Sequence, residues 1–248
     1  MKPVLLITGG GRGIGAATAL LAARQGHAVA INYATNSLAA DEVARQIRSE
    51  GGSAMTVQAD VADESQVLAM FERVQAKLGP LSGLVNNAGV VDRTERLDEM
   101  SVARWRRMFD INVLGSLLCA REAVRRMSTR HGGHGGVIVN VSSVAATLGA
   151  AGQYVDYAAA KGAIDAFTVG LAREVAGEGI RVNAVRPGII DTEIHASGGQ
   201  AGRAQRLAPQ IPLQRPGTAE EVAQGIVWLL SPQASYATGT ILDITGGR

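Results

Sequence analysis

The chain has 248 residues, a formal charge of +2, 46% hydrophobic and 4% aromatic residues, 31 Gly, 7 Pro and a single Cys. That length admits one α/β domain, the apolar content excludes global disorder, and a lone Cys119 excludes a disulfide scaffold or a Cys-based zinc site. No apolar run reaches the ~18 residues of a membrane helix, and so small a charge does not suggest a nucleic-acid partner.

A strand-like run starts at Val4 and leaves no room for a targeting segment, so a cytoplasmic protein is expected. Short apolar runs alternate with helix-period stretches from end to end, the sequence form of a doubly wound (Rossmann-type) α/β fold. Seven parallel strands with helices on both faces are expected, as one domain over residues 1–248. The first strand, Val4 to Ile7, runs into TGGGRGIG, Thr8 to Gly15, and then into the helical stretch Ala16 to Arg24. Glycines let the backbone approach a ligand closely, and the free N–H groups at a helix start attract a pyrophosphate. Two spacings fit: Gly11, Gly13 and Ala16 satisfy G-x-G-x-x-G/A, while Gly9, Gly13 and Gly15 give the wider G-x-x-x-G-x-G. The second strand, Ala28 to Tyr33, ends in Asn32-Tyr33-Ala34-Thr35-Asn36, without the acid that would hold the ribose 2′-hydroxyl of NAD. Arg12, inside the glycine loop, can reach a 2′-phosphate, so NADP is expected over NAD.

After the third strand, Ala54 to Gln58, Val67, Met70, Phe71, Val74 and Leu78 recur at spacings of three and four, a helical face with Asp63 placed to cap it. The fourth strand is Leu81 to Asn86. A long helix from Met100 to Met127 follows, with Cys119 in its apolar run and therefore in the core. Its arginines, Arg104, Arg106, Arg107, Arg121, Arg125 and Arg126, with Arg130 at its exit, read as solvated or subunit-facing surface rather than a nucleic-acid site. The fifth strand, Val137 to Val141, ends in Ser142 and Ser143. Tyr157 and Lys161 then share one face of the next helix, and an ammonium beside a phenol would draw its pKa down from ~10 toward neutrality. The sixth strand, Arg181 to Val185, leads to Pro187-Gly188. The Gly- and Pro-rich segment 189–215 reads as a lid over the substrate. The seventh strand is Ile241 to Ile244. His131, His134 and His195 are not spaced with carboxylates as a metal site demands, so no metal is expected.

In a doubly wound sheet the carboxyl ends of the strands share one crevice, where the glycine loop, the serines and the Tyr/Lys helix can converge. TGGGRGIG, Asp60-Val61, Asn86-Asn87-Ala88-Gly89, Asn112, Ser143, Tyr157-x-x-x-Lys161, Pro187-Gly188 with Thr192, and Thr238-Gly239 before Gly246-Gly247 follow in order along essentially the whole chain. On these motifs the sequence resembles the short-chain dehydrogenase/reductase family in its compact one-domain form. The resemblance implies an NADP-dependent oxidoreductase that moves a hydride between a nicotinamide and a secondary alcohol, sugar hydroxyl or ketone. It implies that Tyr157 transfers the proton, that Lys161 holds the nicotinamide ribose and depresses the Tyr157 pKa, and that Ser143 bonds the developing alkoxide. Asn112 would order a water relay to the lysine. The cofactor would lie along Gly9, Arg12, Gly13, Ile14 and Gly15, with Asn32 and Tyr33 at the end of the second strand and Asp60 and Val61 flanking adenine. Asn87, Ala88 and Gly89 would line its cleft, and Pro187, Gly188, Ile190 and Thr192 would meet the carboxamide.

Ser143 stands fourteen residues before Tyr157 and Ser142 fifteen, longer than the family pattern. One extra residue within Gln153 to Asp156 accounts for this and selects Ser143. Tyr154 has Ala158 rather than a lysine four residues on, which leaves it a place in the pocket wall. The family also implies a homotetramer, built through the helices 100–127 and 157–176 and the last strand. The stretch Ile226 to Leu230 adds a helix more apolar than a monomer surface accommodates. Two alternatives stand beside this reading. A 3-oxoacyl-carrier-protein reductase fits Arg130 but not the opposite charge of Glu178. A nucleotide-sensing binding protein without turnover would have no need of Ser143, Tyr157 and Lys161 together.

Overall fold

A computed structural model describes residues 2–194 and 198–248. Its strands are β1 (Val4–Ile7), β2 (Ala28–Tyr33), β3 (Ser53–Gln58), β4 (Leu81–Asn86), β5 (Gly136–Val141), β6 (Ile180–Pro187) and β7 (Ile241–Ile244). They form one parallel sheet in the order β3-β2-β1-β4-β5-β6-β7. The helices are α1 (Gly13–Arg24), α2 (Ser37–Ser49), α3 (Glu64–Leu78), α4 (Val102–Phe109), α5 (Gly115–Met127), α6 (Ala145–Leu148), α7 (Val155–Val175), α8 (Arg203–Leu207) and α9 (Ala219–Leu230).

The strands are nearly continuous in apolar residues because both faces are covered, and the two-residue period decides which layer each side chain serves. Val4 and Leu6 of β1 pack with Val67, Phe71, Cys119 and Val175, under α3, α5 and α7. Leu5 and Ile7 point the other way, to Ala19, Val43, Ile226 and Val227 of α1, α2 and α9. The Asp63 carboxylate accepts the Gln66 N–H at 3.1 Å and caps α3 as its spacing predicts. The apolar stretch of α9 is absorbed within the subunit: Ile226, Val227, Leu229 and Leu230 are buried, and Trp228 alone of the five is exposed. The expectation that this helix needs a partner subunit is corrected, because the sheet and α1 cover its face.

β1 lies between β2 and β4, so the connections diverge there and the carboxyl ends of these strands open into a crevice. The single helix expected over residues 100–127 is interrupted by a π-helical turn, Asp110–Leu114. Asn112 Nδ2 donates to the Met108 carbonyl at 3.0 Å, and the Gly115 N–H reaches back five residues to the Asp110 carbonyl. That extra residue per turn points the Asn112 side chain at the segment leaving β4.

Candidate active site

The crevice begins at the glycine loop. Gly9 and Gly13 have φ of 60° and 52°, open to glycine at little cost, and a Cβ on Gly15 would lie 2.5 Å from both Asn87 Nδ2 and the Gly9 carbonyl oxygen. The structure therefore uses the wider spacing, Gly9, Gly13 and Gly15, whereas Gly11 serves close packing on Ala40. The loop is tied down from three sides. Asn32 Oδ1 accepts the Gly9 N–H at 3.2 Å, Asn87 Nδ2 donates to the Thr8 and Gly9 carbonyls at 2.9 Å, and Thr8 Oγ1 accepts the Asn87 and Ala88 N–H groups at 3.0 Å. No side chain caps α1 and no acid occupies its first turn, so its positive end faces the crevice. A cleft of about 550 Å³ follows the loop past Arg12, Tyr33, Asn36, Asp60 and Val61. Its size, its glycine floor and this helix end fit a dinucleotide.

A second cleft, of about 300 Å³, shares Ile14, Asn87, Gly89 and Thr192 with the first and continues between β5, α7 and the 189–215 segment. At their junction stand the groups with acid/base chemistry. Ser143 and Tyr157 line this cleft together, and Ser143 Oγ accepts the Ala145 N–H at 3.1 Å. Ser142 is turned away, donating to the Lys161 carbonyl at 3.3 Å. Lys161 Nζ lies 5.7 Å from the Tyr157 ring centre and donates to the Val141 carbonyl at 2.8 Å.

Burial pushes the Tyr157 phenol up to about 12, with the neighbouring Ser143 hydroxyl pulling against it, and pushes the Lys161 ammonium down to about 8, opposed by the Asp165 carboxylate. In this structure burial dominates both groups, and the Lys161 ammonium donates to the Val141 carbonyl. Asn112 is fully buried. It grips Val90 by both backbone groups, Oδ1 accepting its N–H at 3.1 Å and Nδ2 donating to its carbonyl at 3.0 Å, which holds Gly89 against the site.

Beyond Tyr157, Pro187 accepts the Val144 N–H, Gly188 donates to the Ile244 carbonyl, and Ile189 and Ile190 are buried. Thr192 packs over Gly13. The described part of the 189–215 segment has its own small core, Ile189, Ala204 and Ile211 with Leu207, and supplies Ile194, Gln200 and Arg203 to the second cleft. Of the three histidines read against a metal site, His195 lies outside the described residues. Among the described residues no cluster of His, Cys, Asp and Glu could hold a metal ion, and no helix is long and apolar enough to cross a membrane.

Residues 9–248 match the family described as enoyl-(acyl carrier protein) reductase, a branch of the short-chain dehydrogenases/reductases. The chain belongs to the short-chain dehydrogenase/reductase family. It is 56% identical over 245 residues to the uncharacterized oxidoreductase YgfF of Escherichia coli K12, covering 99% of each chain. It is 43% identical over 246 residues to the cis-4-hydroxycyclohexanecarboxylate dehydrogenase of Sinomonas cyclohexanicum, covering 98% of this chain and 95% of that one. Among solved structures, a short-chain dehydrogenase/reductase from Serratia marcescens superposes with a TM-score of 0.90 at 34% identity, over 99% of this chain and 97% of the other. As a member of this family the chain is an oxidoreductase acting on alcohol or keto groups with a nicotinamide cofactor.

Most of the motifs read from the sequence line one of the two clefts or brace its wall, whereas Thr238 and Gly239 bond to Val182 near the start of β6, and the structure adds residues that the reading missed. Arg104 is not on the surface. It is buried, with Nε and Nη2 on the two Asp156 oxygens at 2.8 and 3.1 Å and Nη1 on Glu95 at 2.9 Å and the Arg93 carbonyl at 2.7 Å. Ser101 caps α4 and turns this one arginine inward, toward the residue preceding Tyr157. Of the other arginines of that stretch, Arg121 and Arg125 are open to solvent and Arg126 is half-buried, all three converging on the buried Glu122. An ion cluster assembled from three separate segments leaves no spacing to read. Tyr154 does line the second cleft, its ring meeting that of Tyr157 edge-on at 5.9 Å.

Proposed function

We propose that this oxidoreductase interconverts a secondary alcohol, or a sugar hydroxyl, and its ketone with NADP, and that Tyr157 moves the proton. The observation that carries this reading is the placement of Ser143, Tyr157 and Lys161 together where a dinucleotide-sized cleft joins a smaller one. A nicotinamide held along the glycine loop would supply or accept the hydride at the substrate carbon. In reduction the carbonyl π bond breaks, the carbon gains the hydride, and the oxygen takes the phenolic proton of Tyr157. A phenol held protonated by burial suits that direction, because it donates without first having to be charged. Ser143 donates to the oxygen as negative charge develops there. Lys161 and Asn112 position the groups around Gly89, and Lys161 offers its ammonium to the ribose hydroxyls.

For the cofactor, the wall formed by Tyr33, Ala34, Thr35 and Asn36 carries no carboxylate to repel a 2′-phosphate. Arg12 is exposed beside it, 3.9 Å from Glu193. Asp60 and Val61 take the adenine, and Pro187, Gly188, Ile190 and Thr192 take the carboxamide. The 189–215 segment acts as the lid of a single catalytic domain over residues 1–248. We place the enzyme in the cytoplasm as a homotetramer. Phe109 and Leu114 are exposed on the 102–127 helix, and the open surface at Gly162 and Gly170 on α7 supports close approach of a second copy.

A second reading, reduction of substrates on an acyl-carrier protein, is favoured by the description of the matching family. Against it, Arg130, the base available to an acidic carrier, faces Glu178 at 3.8 Å.

Tyr157→Phe tests the main reading. Turnover is expected to be lost across a panel of alcohols, sugars and ketones while NADPH binding persists, because the ring remains and the transferable proton does not. Ser143→Ala should cost far more activity than Ser142→Ala. A Tyr157→Phe enzyme that still turned over would overturn the assignment.

A further inference from the structure

Two arginines, Arg203 and Arg248, line the second cleft without an ion pair among the described residues. Arg203 is buried, and its side chain is satisfied only by neutral acceptors, Nη1 donating to Tyr154 Oη and Nη2 to Gln153 Oε1 at 2.6 Å. Burial first, and then the charges of Arg248 and Arg206, hold its pKa below the usual arginine value. Arg248 lines the same cleft, with Nη1 buried and without a hydrogen-bond partner. Among the described residues no carboxylate forms an ion pair with either arginine; Asp92, the acid on the opposite wall, is engaged by Arg107 at 3.2 Å. A buried guanidinium without a counter-charge is destabilising, and the buried Nη1 of Arg248 has no partner among the described residues.

We propose that Arg203 and Arg248 bind a carboxylate of the substrate, which makes the substrate a hydroxy or oxo carboxylic acid with an apolar body. This rests on the reading above, that Tyr157 serves a carbonyl or hydroxyl carbon. The spacing suits such a molecule. The Tyr154 ring is 5.9 Å from the Tyr157 ring and 5.1 Å from the Arg203 guanidinium carbon, so the proton donor and the arginine share one cleft across a single side chain, within reach of one small substrate. Val144, Leu148 and Ile189 form apolar wall in that cleft, which favours an aliphatic or alicyclic acid over a sugar. The planar fork of a guanidinium pairs both oxygens of a carboxylate, and no neutral hydroxyl reproduces that contact.

The test compares matched oxo compounds that differ in charge alone: 5-oxohexanoate and 4-oxocyclohexanecarboxylate against their carboxamides and methyl esters. The wild-type enzyme should prefer the acids by about ten- to a hundredfold in kcat/KM, the value of a charged hydrogen-bonded contact. Arg203→Met and Arg248→Met should each remove most of that preference, lowering kcat/KM for the acids far more than for the esters, and Arg203→Lys should restore part of it. Cyclohexanecarboxylate, which cannot react, should raise the melting temperature of the wild-type protein more than cyclohexanecarboxamide does, and the difference should vanish in either Met variant. If Arg203→Met does not fold, Arg248→Met gives the same readings. Equal use of acids and neutral analogues, or a preference that survives both substitutions, would overturn the carboxylate site and leave the oxidoreductase reading standing. Turnover of none of these compounds, with cyclohexanecarboxylate still stabilising the wild type alone, would support the anion site and count against the ketone reading. Absence of both turnover and stabilisation would reject the site.

Discussion

Replacing Arg104 with Met removes one cation from a place where its partners cannot find water. The Arg104 side chain is 6% exposed and that of Asp156 2%, and the pair is bidentate. Glu95, the third member, is 37% exposed and can hydrate when the arginine is gone. The cost therefore falls on Asp156, left as an uncompensated charge in the first turn of α7. Breaking such a pair from one side costs about 3–5 kcal/mol, whereas removing both charges together is often near neutral. For a chain of this size about 2–4 °C of melting temperature accompanies each kcal/mol, so Arg104→Met should melt about 6–20 °C below the wild type. Arg104→Met with Asp156→Leu should recover much of that loss. Melting curves at one protein concentration, which holds any assembly contribution fixed, measure both. A fall of less than about 1 kcal/mol in the single variant would refute the reasoning, as would a double variant no better than the single. Because Asp156 precedes Tyr157, the single variant should also lose activity at temperatures where it remains folded.

The cofactor and pH readings give two further expectations. Arg12→Ala should weaken NADPH by about fivefold, roughly 1 kcal/mol, and spare NADH; this is set below the usual value of a charged contact because the side chain is 59% exposed. Equal weakening of both in parallel titrations would remove Arg12 from the 2′-phosphate. The reduction rate should fall as pH rises through about 8, where Lys161 loses its charge, well below the range where Tyr157 ionises. The Asp165 carboxylate raises the Lys161 pKa, so Asp165→Asn, which also frees Arg186 from its 2.8 Å ion pair, should move that limb to lower pH. A limb that stays put or moves upward in a pH–rate profile would exclude Lys161 as its source.

Much of this protein is written locally. The seven strands are legible because each is a short apolar run bounded by turn residues, and the expected bounds fall within two residues of those in the sheet. Thr8 to Gly15 and the Tyr157/Lys161 pair are legible because their chemistry depends on close spacing in the chain. Three decisions belong to the tertiary structure. The choice between the two glycine spacings rests on which positions need a positive φ or lie against Asn87, a residue more than seventy positions away. The protonation of Tyr157 and Lys161 is set by how much water the packed fold removes, and a spacing argument supplies the neighbouring charge but not the desolvation. The arginines divide likewise: in sequence Arg104 and Arg203 look like any others of the chain's twenty-one, and burial opposite Asp156 or beside Tyr154 separates them. Periodicity along a chain reports which face of an element is apolar; which charges meet inside the fold is fixed by contacts between segments that the sequence does not place side by side.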